Sequence, residues 1–273
     1  MPAASDLYLD LLIKSLTYSL WGETHQPFDW SSLNLFHRVK YRLLAAFLAR
    51  RTLKIEVIIP FDAEKRRVGR DWPVLADTMI GEVRLQNLRS CVEDVLARNV
   101  AGDLIETGVW RGGATILMRA ILRAHGVTDR TVWVADSFAG CPPPNVEKYP
   151  ADEGDRWHAY KFLSVPRQDV EQRFAKYGLL DSQVRFLEGW FKDTLPAAPI
   201  QSLAVLRIDG DLYESTTDAL VHLYPKVTRG GYIIVDDYAL SGCRKAVDDF
   251  RAQHGIETPI QTIDWTGIFW QRA

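Results

Sequence analysis

The chain has little cysteine. Cys91, Cys141 and Cys243 are its three cysteines in 273 residues, and they form no close pair. Neither a disulfide framework nor a cysteine-based metal site is therefore expected. Such scarcity suits a reducing, cytoplasmic setting. A charge excess is missing too: 33 Lys and Arg stand against 35 Asp and Glu, a formal net charge of −2. That balance gives no electrostatic reason to expect nucleic acid as a partner. No apolar run approaches the roughly 18 residues of a membrane span. The opening Met1-Pro2-Ala3-Ala4-Ser5-Asp6 lacks the basic start and apolar core of a signal peptide. What is present is the composition of a soluble globular protein, 47% hydrophobic and 25% charged. The length fits one α/β domain with an extension, or two small domains. Aromatic residues are plentiful, with nine Trp and ten Tyr, a surplus that suits a site for a flat or sugar-like ligand.

Two apolar runs end abruptly in aspartates: Leu206-Arg207-Ile208-Asp209-Gly210-Asp211 and Tyr232-Ile233-Ile234-Val235-Asp236-Asp237. Runs of this length read as strands buried on both faces. A helical pattern follows each, as in the strand–helix units of a parallel sheet. Ligands of such sheets bind at the carboxyl ends of the strands. If the two strands are neighbours, Asp209, Asp236 and Asp237 converge there with Asp211 close by. Carboxylates gathered in one cleft repel each other unless a cation sits among them, and an oxygen-only set suits Mg²⁺ or a similar hard ion. The plainer alternative is helix capping by Asp211 or Asp237, although a cap needs one carboxylate and not a pair.

Along the chain, residues 5–20 place Leu7, Leu11 and Leu12 on one helical face after a Ser5 cap, and residues 32–50 form a second helix with a basic face. Ile55 to Pro60 reads as a short extended piece. This N-terminal part either packs over the cleft or builds an oligomer contact. A helix over 81–98, capped by Asp77 or Thr78, leads to Asp103-Leu104-Ile105-Glu106-Thr107-Gly108-Val109-Trp110-Arg111-Gly112-Gly113, a strand, a glycine-rich turn and a helix start. The glycines allow close backbone approach to a ligand or to other backbone. The spacing is neither a dinucleotide fingerprint nor a P-loop. About twenty-five residues on, Thr131-Val132-Trp133-Val134-Ala135-Asp136 is a strand ending in an acid. An acid at this distance from a glycine turn hydrogen-bonds ribose in nucleoside-binding sheets. Residues 137–160 read as a proline-rich lid. Strands follow at 184–189 and in the two aspartate runs, with helices at 167–177, 214–226 and 242–253. The end, Pro259 to Arg272, reads as a β-hairpin. The tally is an α/β, doubly wound, mostly parallel seven-stranded sheet with an antiparallel C-terminal strand. That closing strand points to the class I methyltransferase version of the sheet. Residues 1–75 form a helical extension and 76–273 the catalytic domain.

Ala76-Asp77-Thr78-Met79, Asp103 to Gly113, Ala135-Asp136-Ser137-Phe138-Ala139-Gly140, Gly189-Trp190-Phe191-Lys192-Asp193-Thr194-Leu195-Pro196, Arg207 to Ser215 and Val235-Asp236-Asp237-Tyr238 together resemble the macrocin O-methyltransferase family. Its members methylate sugar hydroxyls on antibiotics. The likeness runs from about residue 76 to the end and is weaker before it. It implies S-adenosyl-L-methionine and Mg²⁺ as cofactors, a glycosylated small-molecule acceptor and a homo-oligomer. It also implies roles. Glu106, Thr107, Gly108, Val109 and Trp110 line the methionine end of the cofactor, and Thr78 and Met79 close over it. Asp136 binds the ribose, and Ser137, Phe138 and Gly140 continue the wall. Trp190 and Phe191 lie by the adenine. Asp209, Asp236 and Asp237 hold Mg²⁺, and Asp211 takes the proton.

The chemistry agrees with those roles. A sugar hydroxyl is a poor nucleophile until a divalent ion lowers its pKa, and a nearby carboxylate can then accept its proton. His158 and His222 are the rival bases. The same acids would serve methylation of a catechol or other phenol, or activate water in a metal-dependent hydrolase. A non-catalytic binding module is the third alternative, and the intact acid set argues against it. Tight binding of S-adenosylhomocysteine disposes of the hydrolase, and methyl transfer to any acceptor excludes the module.

Overall fold

A computed structural model describes residues 3–22, 24–28 and 33–273. Position 32, the expected start of the second helix, lies outside them, as do Met1 and Pro2. Helix α1 (Ala4–Leu16) buries Leu9, Leu12, Ile13 and Leu16, an i, i+3, i+4, i+7 set. The face expected from Leu7 and Leu11 is the outer one, since these are 58% and 57% exposed. Ser5 lies inside the helix and is not its cap. Ala3 holds the cap position, and its N–H donates to Asp6 at 3.2 Å.

Strand β1 (Thr24–Pro27) is followed by α2 (Leu35–Ala49), capped by Asn34, which accepts the His37 N–H at 3.0 Å. Helix α2 buries none of its residues. Strand β2 (Glu56–Ile59) pairs antiparallel with β1, so the expected extended piece is present. The short α3 (Ala63–Arg67) carries buried Arg66, which donates to the Met79 and Ile80 carbonyls at 2.6 and 2.8 Å. Helix α4 (Glu82–Ala97) starts after Gly81. Neither Asp77 nor Thr78 caps it. Asp77 instead pairs with Arg173 and accepts the Tyr177 hydroxyl at 2.7 Å.

The remaining elements alternate: β3 (Asp103–Thr107), α5 (Gly113–Ala124), β4 (Val132–Asp136), α6 (Arg167–Lys176), β5 (Val184–Glu188), α7 (Phe191–Thr194), β6 (Leu203–Ile208), α8 (Tyr213–Leu223), β7 (Val227–Val235), α9 (Ser241–Gln253), β8 (Gln261–Thr262) and β9 (Ile268–Gln271). Seven of the strands form one sheet in the order β5-β4-β3-β6-β7-β9-β8. The first five are parallel, and β9 runs antiparallel to both β7 and β8. This is the class I methyltransferase sheet. Successive strand residues point to opposite faces. Leu104, Val132, Val134 and Val205 therefore join a core with α1, α4 and α5. Ile105, Trp133, Leu206 and Ile233 join a second core with α8 and α9. The chain winds outward from β3 through β4 to β5 and returns to start again at β6. The crevice between β3 and β6 is thus the topological switch point where such sheets bind ligands. Among the described residues, no helix is long and apolar enough to cross a membrane.

Candidate active site

Strand pairing continues up to the acids. Asp209 donates its N–H to the Thr107 carbonyl at 2.8 Å, and Asp236 donates to Ile208 at 2.9 Å. The carboxyl ends of β3, β6 and β7 are therefore level, and the expected convergence of the aspartates is present. Asp209, Asp236 and Asp237 each offer a carboxylate oxygen, all within 4.8 Å of one another. Asp237 also accepts the Asp211 N–H at 3.1 Å.

Two arginines that the sequence reading passed over organise this cluster. Arg207, buried on β6, reaches Glu106, Asp209 and Asp236. Arg84, from α4, reaches Asp236 and, at 3.0 Å, Asp264. A signal for Arg207 was present: a guanidinium inside an apolar run must have a buried partner. Six carboxylates (Glu106, Asp209, Asp211, Asp236, Asp237 and Asp264) thus face two guanidinium groups. The imbalance shows in their titration. Burial, then repulsion from Asp236, raises the Asp209 pKa. Burial and Asp211 push Asp237 well up. Burial, with repulsion from Asp209, lifts Asp211 to about 7. A divalent cation fits this donor set, because it would relieve the repulsion at the three converging oxygens.

Asp211 itself makes the turn after β6, with φ at 56°. Trp110 and Phe138 also have positive φ, 48° and 55°. Backbone strain of this kind costs on the order of 1–3 kcal/mol per residue and gathers at functional sites. Cys141, from the lid, donates its thiol to Asp211 at 3.5 Å.

A cleft of about 380 Å³ opens at the switch point. Met79, Gly108, Trp110, Asp136, Ser137 and Gly140 line it, together with Trp190 and Phe191 from the end of β5 and Asp209 and Asp211 from the end of β6. Thr78, Glu106, Thr107, Val109 and Phe138 are buried behind this wall. Asp236 and Asp237 stand beside the cleft, in the carboxylate cluster. The lid residues Pro142, Pro143 and Asn145, and Glu214, Ser215 and Asp218 of α8, also line the cleft. The lid was expected over the site, whereas nothing in the local pattern of the three α8 residues marks a binding role. Asp136 accepts the Val109 and Phe138 N–H groups, both at 2.7 Å, and so clamps the glycine turn onto β4. Burial raises its pKa against those amides. Glu106 is raised by burial and opposed by Arg207, and its Oε2 has no hydrogen-bond partner among the described residues. Residues 137–160 are not plain loop, for 3₁₀ turns occupy Pro150–Asp152 and Trp157–Ala159. His158 is exposed, and neither it nor His222 lines the cleft.

Residues 5–272 match the sequence model of the macrocin O-methyltransferase (TylF) family. The chain belongs to this family. The methyltransferase is 51% identical over 271 residues to the demethyldecarbamoylnovobiocin O-methyltransferase of Streptomyces niveus, covering 98% of this chain and 94% of that one. It is 58% identical over 213 residues to the 8-demethyl-8-(2,3-dimethoxy-alpha-L-rhamnosyl)-tetracenomycin-C 4'-O-methyltransferase of Streptomyces olivaceus, covering 78% and 82%. The solved structure of the O-methyltransferase NovP matches the methyltransferase with a TM-score of 0.84 at 50% identity, over 98% of this chain and 99% of that one. The calicheamicin methyltransferase CalS11, at 20% identity, a TM-score of 0.55 and coverage of 70% and 79%, shares the fold alone. The methyltransferase is therefore an O-methyltransferase of the antibiotic-pathway type, and its switch-point cleft is the candidate donor site.

Proposed function

We propose that the enzyme moves a methyl group from S-adenosylmethionine to a hydroxyl of a sugar on a glycosylated natural product, in a metal-dependent reaction with Asp211 as general base. The observation that carries this reading is the excess of carboxylates over guanidinium groups at the switch point, with Asp211 lining the cleft beside it. The relatives named above support the acceptor class, since one is named for a rhamnosyl substrate.

S-adenosylmethionine supplies the methyl group on a sulfonium. The unpartnered, buried Glu106 Oε2 suits its ammonium. Thr107 to Trp110 hold the methionine end, and Thr78 and Met79 close over it. Asp136 takes the ribose through the carboxylate that also receives the Val109 and Phe138 amides and, at 3.5 Å, the Ser137 hydroxyl. Ser137, Phe138 and Gly140 extend that wall, and Trp190 and Phe191 pack on the adenine. Asp209, Asp236 and Asp237 are the residues that would hold Mg²⁺, which supplies Lewis acidity toward an acceptor hydroxyl. Asp211 accepts the hydroxyl proton as the new O–C bond forms and the S–C electron pair returns to sulfur. A base whose pKa lies near the working pH does this best, and burial puts Asp211 in that range.

The three free cysteines support a cytoplasmic setting. Residues 76–273 carry every assigned role, and residues 1–75 form the extension. The exposed Leu35, Phe36, Val39, Leu43 and Phe47 on α2 support a homo-oligomer contact there.

The test is turnover with a rhamnosylated acceptor. Chelation abolishes it and Mg²⁺ restores it. Full activity in excess chelator would mean that the aspartates are not ligands. Turnover of 3,4-dihydroxybenzoate in preference to any glycoside would favour the phenol reading.

A further inference from the structure

Asp211 lines two cavities. Besides the donor cleft, a second cavity of about 310 Å³ lies between the lid, Asp211 and the start of α9 at Leu240–Gly242. Asp152 anchors the lid there. It is buried, and its carboxylate accepts the Tyr213 and Glu214 N–H groups at 2.6 and 3.1 Å, capping α8. Gly242 keeps the lid close, since a Cβ there would stand 2.8 Å from Asp152 Oδ1. The base therefore sits at the boundary between two chambers, as a two-substrate transfer requires.

The second chamber is polar, with Asp152, Glu153, Asp155, Arg156 and Ser241 on its walls. That suits a polyhydroxylated ring. Its volume is at the small end of the roughly 300–1,000 Å³ usual for small-molecule sites, enough for one ring and not for a whole glycoside. Trp157 and Tyr160 line it and lead outward into an aromatic cluster. Trp72 stands 4.8 Å from Phe162, 5.7 Å from Tyr160 and 6.1 Å from Trp157, centroid to centroid. Trp72, Tyr160 and Phe162 remain 55%, 44% and 42% exposed. An apolar patch left open beside a polar chamber marks a binding surface.

We infer that the second cavity receives the sugar ring to be methylated, and that Trp72, Trp157, Tyr160 and Phe162 form a shelf for an apolar aglycone. This rests on the sugar reading above and adds which residues select the acceptor. The shelf accounts for part of the tryptophan surplus in the sequence.

The test is equilibrium binding of methyl α-L-rhamnoside and 4-nitrophenyl α-L-rhamnoside to the full chain, with S-adenosylhomocysteine and Mg²⁺ present. The aryl glycoside is expected to bind roughly 2–12-fold tighter, the usual worth of one aromatic contact. In Trp72→Ala the ratio falls toward 1. In Ser241→Trp, which fills the chamber, both glycosides are lost and S-adenosylhomocysteine affinity is kept. An unchanged ratio in Trp72→Ala would overturn the shelf, and glycoside binding by Ser241→Trp would overturn the chamber, with the sugar reading intact in both cases. If the unmodified enzyme binds neither glycoside and methylates 3,4-dihydroxybenzoate, the sugar reading itself fails, and this inference with it.

Discussion

At Gly108, φ is 87°, and a Cβ would lie 1.7 Å from the Asp209 carbonyl oxygen. The sequence reading gave the turn glycines to either ligand approach or tight packing, and at Gly108 backbone meets backbone. Gly108→Ala must separate β3 from β6 at the point where Asp209 enters the cluster. We expect it to cut both S-adenosylhomocysteine affinity and turnover, measured by calorimetry and initial rates. Asp136 has two duties, on the turn amides and on the donor's ribose. Asp136→Asn is expected to weaken donor binding by about 1–3 kcal/mol, the cost of a lost hydrogen bond to a charged group. Unchanged affinity would remove Asp136 from the donor site. The terminal acids were legible because each ends an apolar run. Arg207 was not read as a hub because its partners, Glu106 on β3 and Asp236 just past β7, lie 101 and 29 residues away in sequence.

For whole elements, periodicity named the main strands and helices but missed the short β1, α3 and α7, and it did not always give the buried face. Helix α1 offers two leucine stripes, and only contact with α4 and α5 chooses Leu9, Leu12, Ile13 and Leu16. Because Leu16 is fully buried there, Leu16→Ala is expected to cost about 2–5 kcal/mol in denaturant unfolding. A loss below 1 kcal/mol would mean that α1 is a detachable extension. The lid was legible as an insertion from its prolines and length. Its attachment was not, since the Asp152 cap joins residues 61 positions apart. Asp152→Ala removes that cap, at about 0.5–2 kcal/mol, and circular dichroism melts should register it.

Across the whole molecule, the carboxylate excess ties stability to pH and to cation. The folded pKa values of Asp209, Asp211 and Asp237 lie above their unfolded values. Such groups favour the folded state fully below their unfolded pKa, about 4. That contribution is lost as pH rises through the folded pKa, about 7 for Asp211. Cation-free protein should therefore lose stability at this cluster as pH rises from about 4 to 7. Mg²⁺ at 100 times its Kd would return about 2.7 kcal/mol, so its effect on Tm should be several degrees at pH 8 and small at pH 5. An equal shift at both pH values would place the ion elsewhere.

The most direct measurement compares kcat for Asp211→Asn and Asp209→Asn across a Mg²⁺ titration, at saturating S-adenosylmethionine and with a rhamnosylated acceptor. If Asp211 is the base, its amide variant loses about 10²–10⁴-fold in kcat at every Mg²⁺ concentration, with donor affinity unchanged. Asp209→Asn instead needs more Mg²⁺ and recovers part of its rate as the ion is raised. Rescue of Asp211→Asn by excess Mg²⁺ would contradict the account, since Asp211 would then be a ligand and the proton would leave by another group.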